Sequence, residues 1–265
     1  MRTLFILAIA AILASTSRSQ TTPDANDVRG VQLTIESSTL PEADRKEIAR
    51  IFRNQTYETI DELSPRLRDA LQVRGYFTAS VGNPKISFIS QGRGGKIADI
   101  HISVEEGPRY RLGEIRFRGG TAFSAEEMRR AIPIQAGELF NVEKMREGIH
   151  NLRNLYDGRG YINFTPVPDT ATDDTRHIVD INFDLDEGRQ FMFGPLVLDG
   201  TEPHIGAGRA LLESWKSLRG EPYSPHRLQQ WLAENRLNLP ATAEKHMESS
   251  QDDALGIITV RLWFP

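Results

Sequence analysis

Two stretches of this sequence return further along it, in the same order. Glu105-Glu-Gly-Pro-Arg-Tyr-Arg-Leu-Gly113 is echoed by Asp186-Glu-Gly-Arg-Gln-Phe-Met-Phe-Gly194, an offset of 81 residues (186 less 105). Arg74-Gly-Tyr76 returns as Arg159-Gly-Tyr161, an offset of 85 (159 less 74). Landmarks in fixed order at nearly one spacing mean duplicated structural units. Whatever fold the chain adopts must therefore be a small one, built more than once. Its 265 residues leave room for a third copy.

The clearest copy covers 108–189. Tyr110, Leu112, Ile115 and Phe117 predict a strand, shifted in phase at Gly113. Phe123-Ser-Ala-Glu-Glu-Met128 has the form of a helix start, with Ser124 and Glu127 as capping box and Phe123 and Met128 as hydrophobic staple. A second helix follows Asn141, whose side chain suits an N-cap, with Phe140 and Met145 as its staple. Met145, Ile149, Leu152 and Leu155 form its apolar stripe, and Gly158 and Gly160 its stop. Tyr161 to Val167 predict a strand, Asp169 to Asp174 a turn, and Ile178 to Leu185 a last strand. In that strand Val179, Ile181, Phe183 and Leu185 alternate with acidic or polar residues. The order is strand, helix, helix, strand, strand.

The same order fits 28–107. Val31, Leu33 and Ile35 alternate with Gln32 and Thr34. Pro41 suits a first helical turn, and Ile48, Ile51 and Phe52 line the face of that helix. The next helix starts either at Thr59 with Glu62 as capping box, or at Ser64 with Pro65 in its first position, and carries Leu63, Leu67 and Leu71. Strands follow within Phe77–Ser90, broken at Gly82-Asn-Pro84, and over Ile100, Ile102 and Val104. The third copy, 190–265, is divergent. Phe191, Phe193, Leu196 and Leu198 predict its first strand; Leu211, Leu212, Trp215 and Leu218 a helix stripe. Ser224 and Pro225 open another helix, with Tyr223 and Leu228 as staple and Trp231 and Leu232 continuing the stripe. Ile257 to Phe264 predict a final strand, and Asn235-Arg-Leu-Asn-Leu-Pro240 stands where the Arg-Gly-Tyr stop is expected.

Residues 1–20 differ from the rest. Arg2, the apolar run from Leu4 to Ala14 and the small residues after it read as a secretory signal peptide; the alternative is an uncleaved N-terminal anchor. No later run reaches the ~18 apolar residues of a spanning helix. The absence of cysteine excludes disulfides, thiolate metal sites and lipid attachment through cysteine, and fits a bacterial periplasm better than a eukaryotic secreted domain. A net charge of −4, with Arg and Lys spread along the chain, gives no nucleic-acid footprint.

Gly107-Pro-Arg-Tyr-Arg-Leu-Gly-Glu-Ile-Arg-Phe-Arg-Gly119 resembles the opening strand of a POTRA domain, the polypeptide-transport-associated repeat. Glu138-Leu-Phe-Asn-Val-Glu-Lys144, Leu152-Arg-Asn-Leu-Tyr156 and Arg159-Gly-Tyr161 resemble the same family. The resemblance implies an α+β fold of tandem POTRA-like βααββ units, each a three-stranded mixed sheet covered by two helices. It also implies a place in the periplasm, peripherally associated with the outer membrane. The implied partners are unfolded outer-membrane or secreted polypeptides, and a separate outer-membrane β-barrel protein. In the family such repeats precede a barrel; at eight or more strands of ~9–11 residues, this sequence has no stretch for one.

No catalytic constellation stands out, and neither enzyme activity nor a cofactor is expected. The six histidines are scattered, without a ligand spacing. Asp169, Asp173 and Asp174 read as a solvated hairpin turn sooner than as a calcium loop. The better candidate is a sheet edge, where an extended polypeptide adds as a further strand. The family resemblance makes the second strand of each unit that edge. In 108–189 it carries Pro166 and Pro168, which lack the N–H a docking strand needs. In 28–107 it is Lys85, Ile86, Ser87, Phe88, Ile89 and Ser90, without proline. The alternative for Phe88 and Ile89 is packing into their own core. A passive scaffold or docking subunit of an envelope complex is the second functional reading.

Overall fold

A computed structural model describes residues 28–53, 62–90, 96–201, 205–240 and 243–264. The signal peptide reading and the Thr59 cap fall outside them. By packing, the chain divides into two compact units that cut across the sequence repeats. One holds Met1–Gly113, Ile134–Glu143 and Thr172–Val179; the other holds Glu114–Pro133, Lys144–Ala171 and Asp180–Pro265.

In the first repeat the elements are β1 (Val28–Glu36), α1 (Glu42–Arg53), α2 (Leu63–Gln72), β2 (Ser80–Val81), β3 (Lys85–Ser90) and β4 (Lys96–Glu105). β4 is central. β1 pairs with it in parallel, so the connection between them must cross over, and the two helices supply that crossover. β2 and β3 both pair antiparallel with β4, as two pieces of one interrupted strand. Ile35, Ile48, Leu67, Leu71, Ile100 and Ile102 meet in the core under the helices. α2 begins at Leu63 without a side-chain cap. Ser64 lies inside the helix and its hydroxyl donates instead to the Gly82 carbonyl, 3.0 Å away, which corrects its expected role as N-cap.

The second repeat runs β5 (Arg111–Arg118), α3 (Ala125–Arg130), α4 (Val142–Asp157), β6 (Thr165–Asp173) and β7 (Ile178–Asp186), in sheet order β5-β7-β6. The capping box of α3 forms: the Ser124 hydroxyl accepts from the Glu127 N–H, and the Glu127 carboxylate accepts from the Ser124 N–H. The stripe of α4 is turned from its expected position. Its buried residues are Met145, Gly148, Leu152 and Tyr156, while Ile149 and Leu155 are half-buried. Gly148 explains the turn. A Cβ there would stand 2.9 Å from Ile132 Cγ2, so a bare backbone face, and not Ile149, packs against the segment just after α3. Tyr161 to Phe164 form a turn rather than a strand, and Asp169 to Asp173 belong to β6, with the reversal at 174–177.

Residues 192–264 repeat the order again: β8 (Met192–Gly200), α5 (Ala207–Trp215), α6 (Pro225–Glu234), β9 (Met247–Asp252) and β10 (Ile257–Phe264). β8 and β10 pair in parallel and β9 and β10 antiparallel. Phe193, Leu211, Trp215, Leu228, Trp231 and Val260 build this core. Both indoles are satisfied, Trp215 Nε1 donating to the Gly194 carbonyl at 2.9 Å and Trp231 Nε1 to Ser214 Oγ at 3.0 Å. Leu212 is 47% exposed and leaves the expected stripe. The architecture is the expected one: α+β, with tandem strand–helix–helix–strand–strand units.

Candidate functional site

The edge strand β3 exists because Gly82-Asn-Pro84 interrupts its predecessor: β2 stops at Val81 and the ladder on β4 resumes at Lys85. Register is continuous from Lys85 opposite His101 to Ser90 opposite Lys96. Among the described residues β3 pairs with β4 alone, so its other side is an edge whose backbone groups have no ladder partner. Ile86 stands opposite buried Ile100 and packs against the core, while Lys85 and Ser87 are exposed. Phe88 is in register with Ala98 and Ile89 with Ile97. The side chains of Phe88, Ile89 and Ser90 lie outside the described ones, and with them the choice between edge and core.

The open face beside this edge is charged. His101, opposite Lys85, lies with Nδ1 2.9 Å from Glu36 Oε1 and Nε2 3.2 Å from Asp99 Oδ2. Those bonds, the one to Glu36 foremost, hold its pKa above the ordinary histidine value. Glu36 is on β1 and Asp99 on β4, so the imidazole ties the two parallel strands together.

The other two sheets also end in an edge as their second strand. β6 pairs only with β7 among the described residues, and its prolines at 166 and 168 fall within the strand. β9 is the edge of the third sheet, polar and free of proline. Sequence reading missed it because Met247–Asp252 has little apolar alternation. The turn Asp252-Asp-Ala-Leu-Gly256 just ahead of β10 was the available signal, since a tight reversal implies a hairpin partner. Of the acidic cluster, Asp169 and Asp173 lie in β6 and only Asp174 falls in the reversal; Asp173 Oδ1 accepts from the N–H groups of Thr175 and Arg176, and Asp174 Oδ1 accepts from the Tyr110 hydroxyl at 2.7 Å. Among the described residues no group of His, Asp and Glu is arranged to hold a metal ion. None of the helices there is long and apolar enough to cross a membrane.

Serial βααββ units, each with its second strand at the edge of its mixed sheet among the described residues, define a class of tandem edge-presenting repeats. Comparison with known proteins gives the class its family: the chain belongs to the POTRA family, described as the surface antigen variable number repeat, whose model matches residues 26–107 and again 110–188. The chain is similar to the outer membrane protein assembly factor BamA of Buchnera aphidicola subsp. Acyrthosiphon pisum (strain APS), at 24% identity over 151 residues, 57% of this chain and 24% of that protein. It is also similar to BamA of Neisseria meningitidis serogroup B (strain ATCC BAA-335 / MC58), at 22% identity over 152 residues, 54% of this chain and 18% of that one. It therefore spans about a quarter or less of the length of these relatives. Among solved structures, Haemophilus influenzae BamA POTRA3-5 is alike with a TM-score of 0.60 at 16% identity, over 89% of this chain and 95% of that one. This likeness concerns the fold, and it extends past residue 188 into the segment that the family model leaves unmatched.

Proposed function

We propose that this chain is a non-enzymatic periplasmic polypeptide-binding protein of outer-membrane protein assembly or secretion. It takes extended client segments as an added strand on β3. The observation that carries the reading is the edge itself: Lys85–Ser90 is in register on one side, unpaired on the other among the described residues, and free of proline. Main-chain bonds to such an edge give affinity with little sequence preference, which suits a handler of many clients. Membership in the POTRA family and likeness to proteins named as outer-membrane assembly factors supply the setting. Residues 190–265 act in this reading as a third POTRA-like unit, after units at 28–107 and 108–189, and residues 1–20 as the export signal.

An NMR titration of the full mature chain with extended peptides is the test. Amide shifts concentrated at 85–90 and in β4 opposite them are expected. No shift at about 1 mM peptide, where a weak ~4 kcal/mol interaction already registers, overturns the docking role. If, in addition, a stable protein co-purifies, the scaffold reading takes its place.

A further inference from the structure

The Arg-Gly-Tyr motif follows the second helix in each of the first two repeats. Its surroundings assign it a second role, independent of the docking edge. In the first repeat Gly75, at φ +88°, ends the turn after α2, and its carbonyl accepts the N–H of Tyr110 at 2.8 Å. The Tyr110 carbonyl in turn accepts the N–H of Phe140 at 2.9 Å; Leu112 N–H donates to the Glu138 carbonyl and Gly137 N–H to the Leu112 carbonyl, at 2.9 and 2.7 Å. In the second repeat Gly160, at φ +86°, does the same for Phe191 at 2.8 Å. The Phe191 carbonyl accepts from Tyr223 at 2.8 Å, Phe193 N–H donates to Glu221 at 2.8 Å, and Gly220 N–H donates to the Phe193 carbonyl at 2.9 Å. The two sets match bond for bond.

Steric fit points the same way. A Cβ on Gly75 would stand 2.6 Å from Leu139 Cδ1, and one on Gly160 would collide with the Phe191 carbonyl oxygen. Neither obstacle belongs to the helix being stopped; each belongs to the repeat that follows. Tyr110 and Phe191, which lead the incoming strands, are buried to 2% and 0% exposure. The packing division agrees. The compact unit containing the whole first repeat also takes in the parts of the second repeat that hold this seat, through Gly113, Ile134–Glu143 and Thr172–Val179.

We propose that each Arg-Gly turn is a receptor site for the next repeat. Its ligand is a strand led by a buried aromatic, clasped from behind by the loop before that repeat's second helix. Adjacent repeats are joined by this seat and not by the connecting residues alone.

The test separates a seat from a mere helix stop by using the full chain with Gly75→Ala, Leu139→Ala and the double variant. Amide exchange at Tyr110, Leu112 and Phe140 is the readout. For a seat, Gly75→Ala speeds exchange at these amides by about tenfold or more, and adding Leu139→Ala restores part of the protection, because the Cβ regains its space. For a helix stop alone, the two substitutions add, or the three amides do not respond; either result overturns the proposal. If Gly75→Ala fails to fold, a folded double variant supports the seat; where both fail, Gly75→Asn, which tolerates a positive φ, replaces Gly75→Ala in the same pair, and failure of Leu139→Ala to restore its protection refutes the proposal.

Discussion

Replacing Glu187 with alanine should destabilise the second repeat by about 2–3 kcal/mol at neutral pH. Glu187 lies just beyond β7, and its carboxylate reaches across to the loop after β5. Oε1 accepts the N–H groups of Thr121 and Ala122, both at 2.8 Å, and Oε2 accepts the Thr121 hydroxyl at 2.8 Å. Bonds to a charged acceptor contribute roughly 1.5–3 kcal/mol each, but Thr121 is exposed and water would replace part of what is lost, so the sum is discounted. Glu187→Gln keeps an oxygen for the backbone donors and should cost about half as much. Burial raises the pKa of Glu187, yet the bonds from Ala122 and Thr121 outweigh it and hold the group below the ordinary carboxylate range. The sign follows. A depressed folded pKa gives stability that is present above the unfolded value of about 4.3 and is lost as pH falls through the folded value. Urea denaturation followed by far-UV circular dichroism, for wild type and both variants at pH 7 and at acid pH, reads the difference. The reasoning fails if Glu187→Ala costs less than about 0.5 kcal/mol, or costs as much in acid as at neutrality.

Two further titrations follow from the geometry. His101, bonded to Glu36 and Asp99, should titrate above the ordinary histidine value, and Glu36→Gln should bring it down, since that bond is the largest cause. The tie between β1 and β4 is then complete below about pH 6.5 and loosens as pH rises through the folded value; ring-proton shifts that ignore Glu36→Gln would contradict this. Asp157 ends α4, half-buried, where a negative charge opposes the helix dipole, and burial pushes its pKa up despite Arg153 and His150. Asp157→Asn should raise the melting temperature at neutral pH. The gain should begin to shrink as pH falls through the folded value and be gone below the unfolded value of about 3.9, and a loss at pH 7 would count against the assignment.

The sequence carried the element order of the first two repeats, the α3 capping box and the Ser224 N-cap, because these rest on local spacing. What it misplaced depends on partners far along the chain. Ile149 was expected in the α4 stripe, but the close approach of Ile132 to Gly148 turns the helix by part of a turn. Ser64 has the sequence context of an N-cap, yet the Gly82 carbonyl, eighteen residues on, is the partner it finds. β9 was missed for a different reason: as an edge strand with one neighbour it needs no apolar alternation, so the property that qualifies it as an edge also hides it. Of the candidate site, the break at Gly82-Asn-Pro84 and the lack of proline were legible, while the His101 tie to Glu36 needed the register of a parallel pair 65 residues apart.

The third repeat shows what the repeated motifs report. Its core is as complete as the others, with Phe193, Leu211, Trp215 and Trp231 all buried, yet the family model stops at residue 188. The landmarks that made the duplication visible were Arg-Gly-Tyr and the Glu-Gly stretch after the last strand. In the structure Tyr76 belongs to the first core, but the other shared residues have different work: the Gly75 and Gly160 carbonyls accept from Tyr110 and Phe191 of the next repeat, and Glu106 and Glu187 hold the loop after the first strand, Glu106 through the hydroxyls of Ser37 and Thr39. A core tolerates exchange among apolar residues of similar volume, whereas a positive φ against a neighbour, or a carboxylate matched to particular donors, does not. Apart from the tyrosine, the shared letters therefore mark joints and clasps. Residues 235–240 stand in the place of Arg-Gly-Tyr, and the third sheet still forms in the order β8-β10-β9.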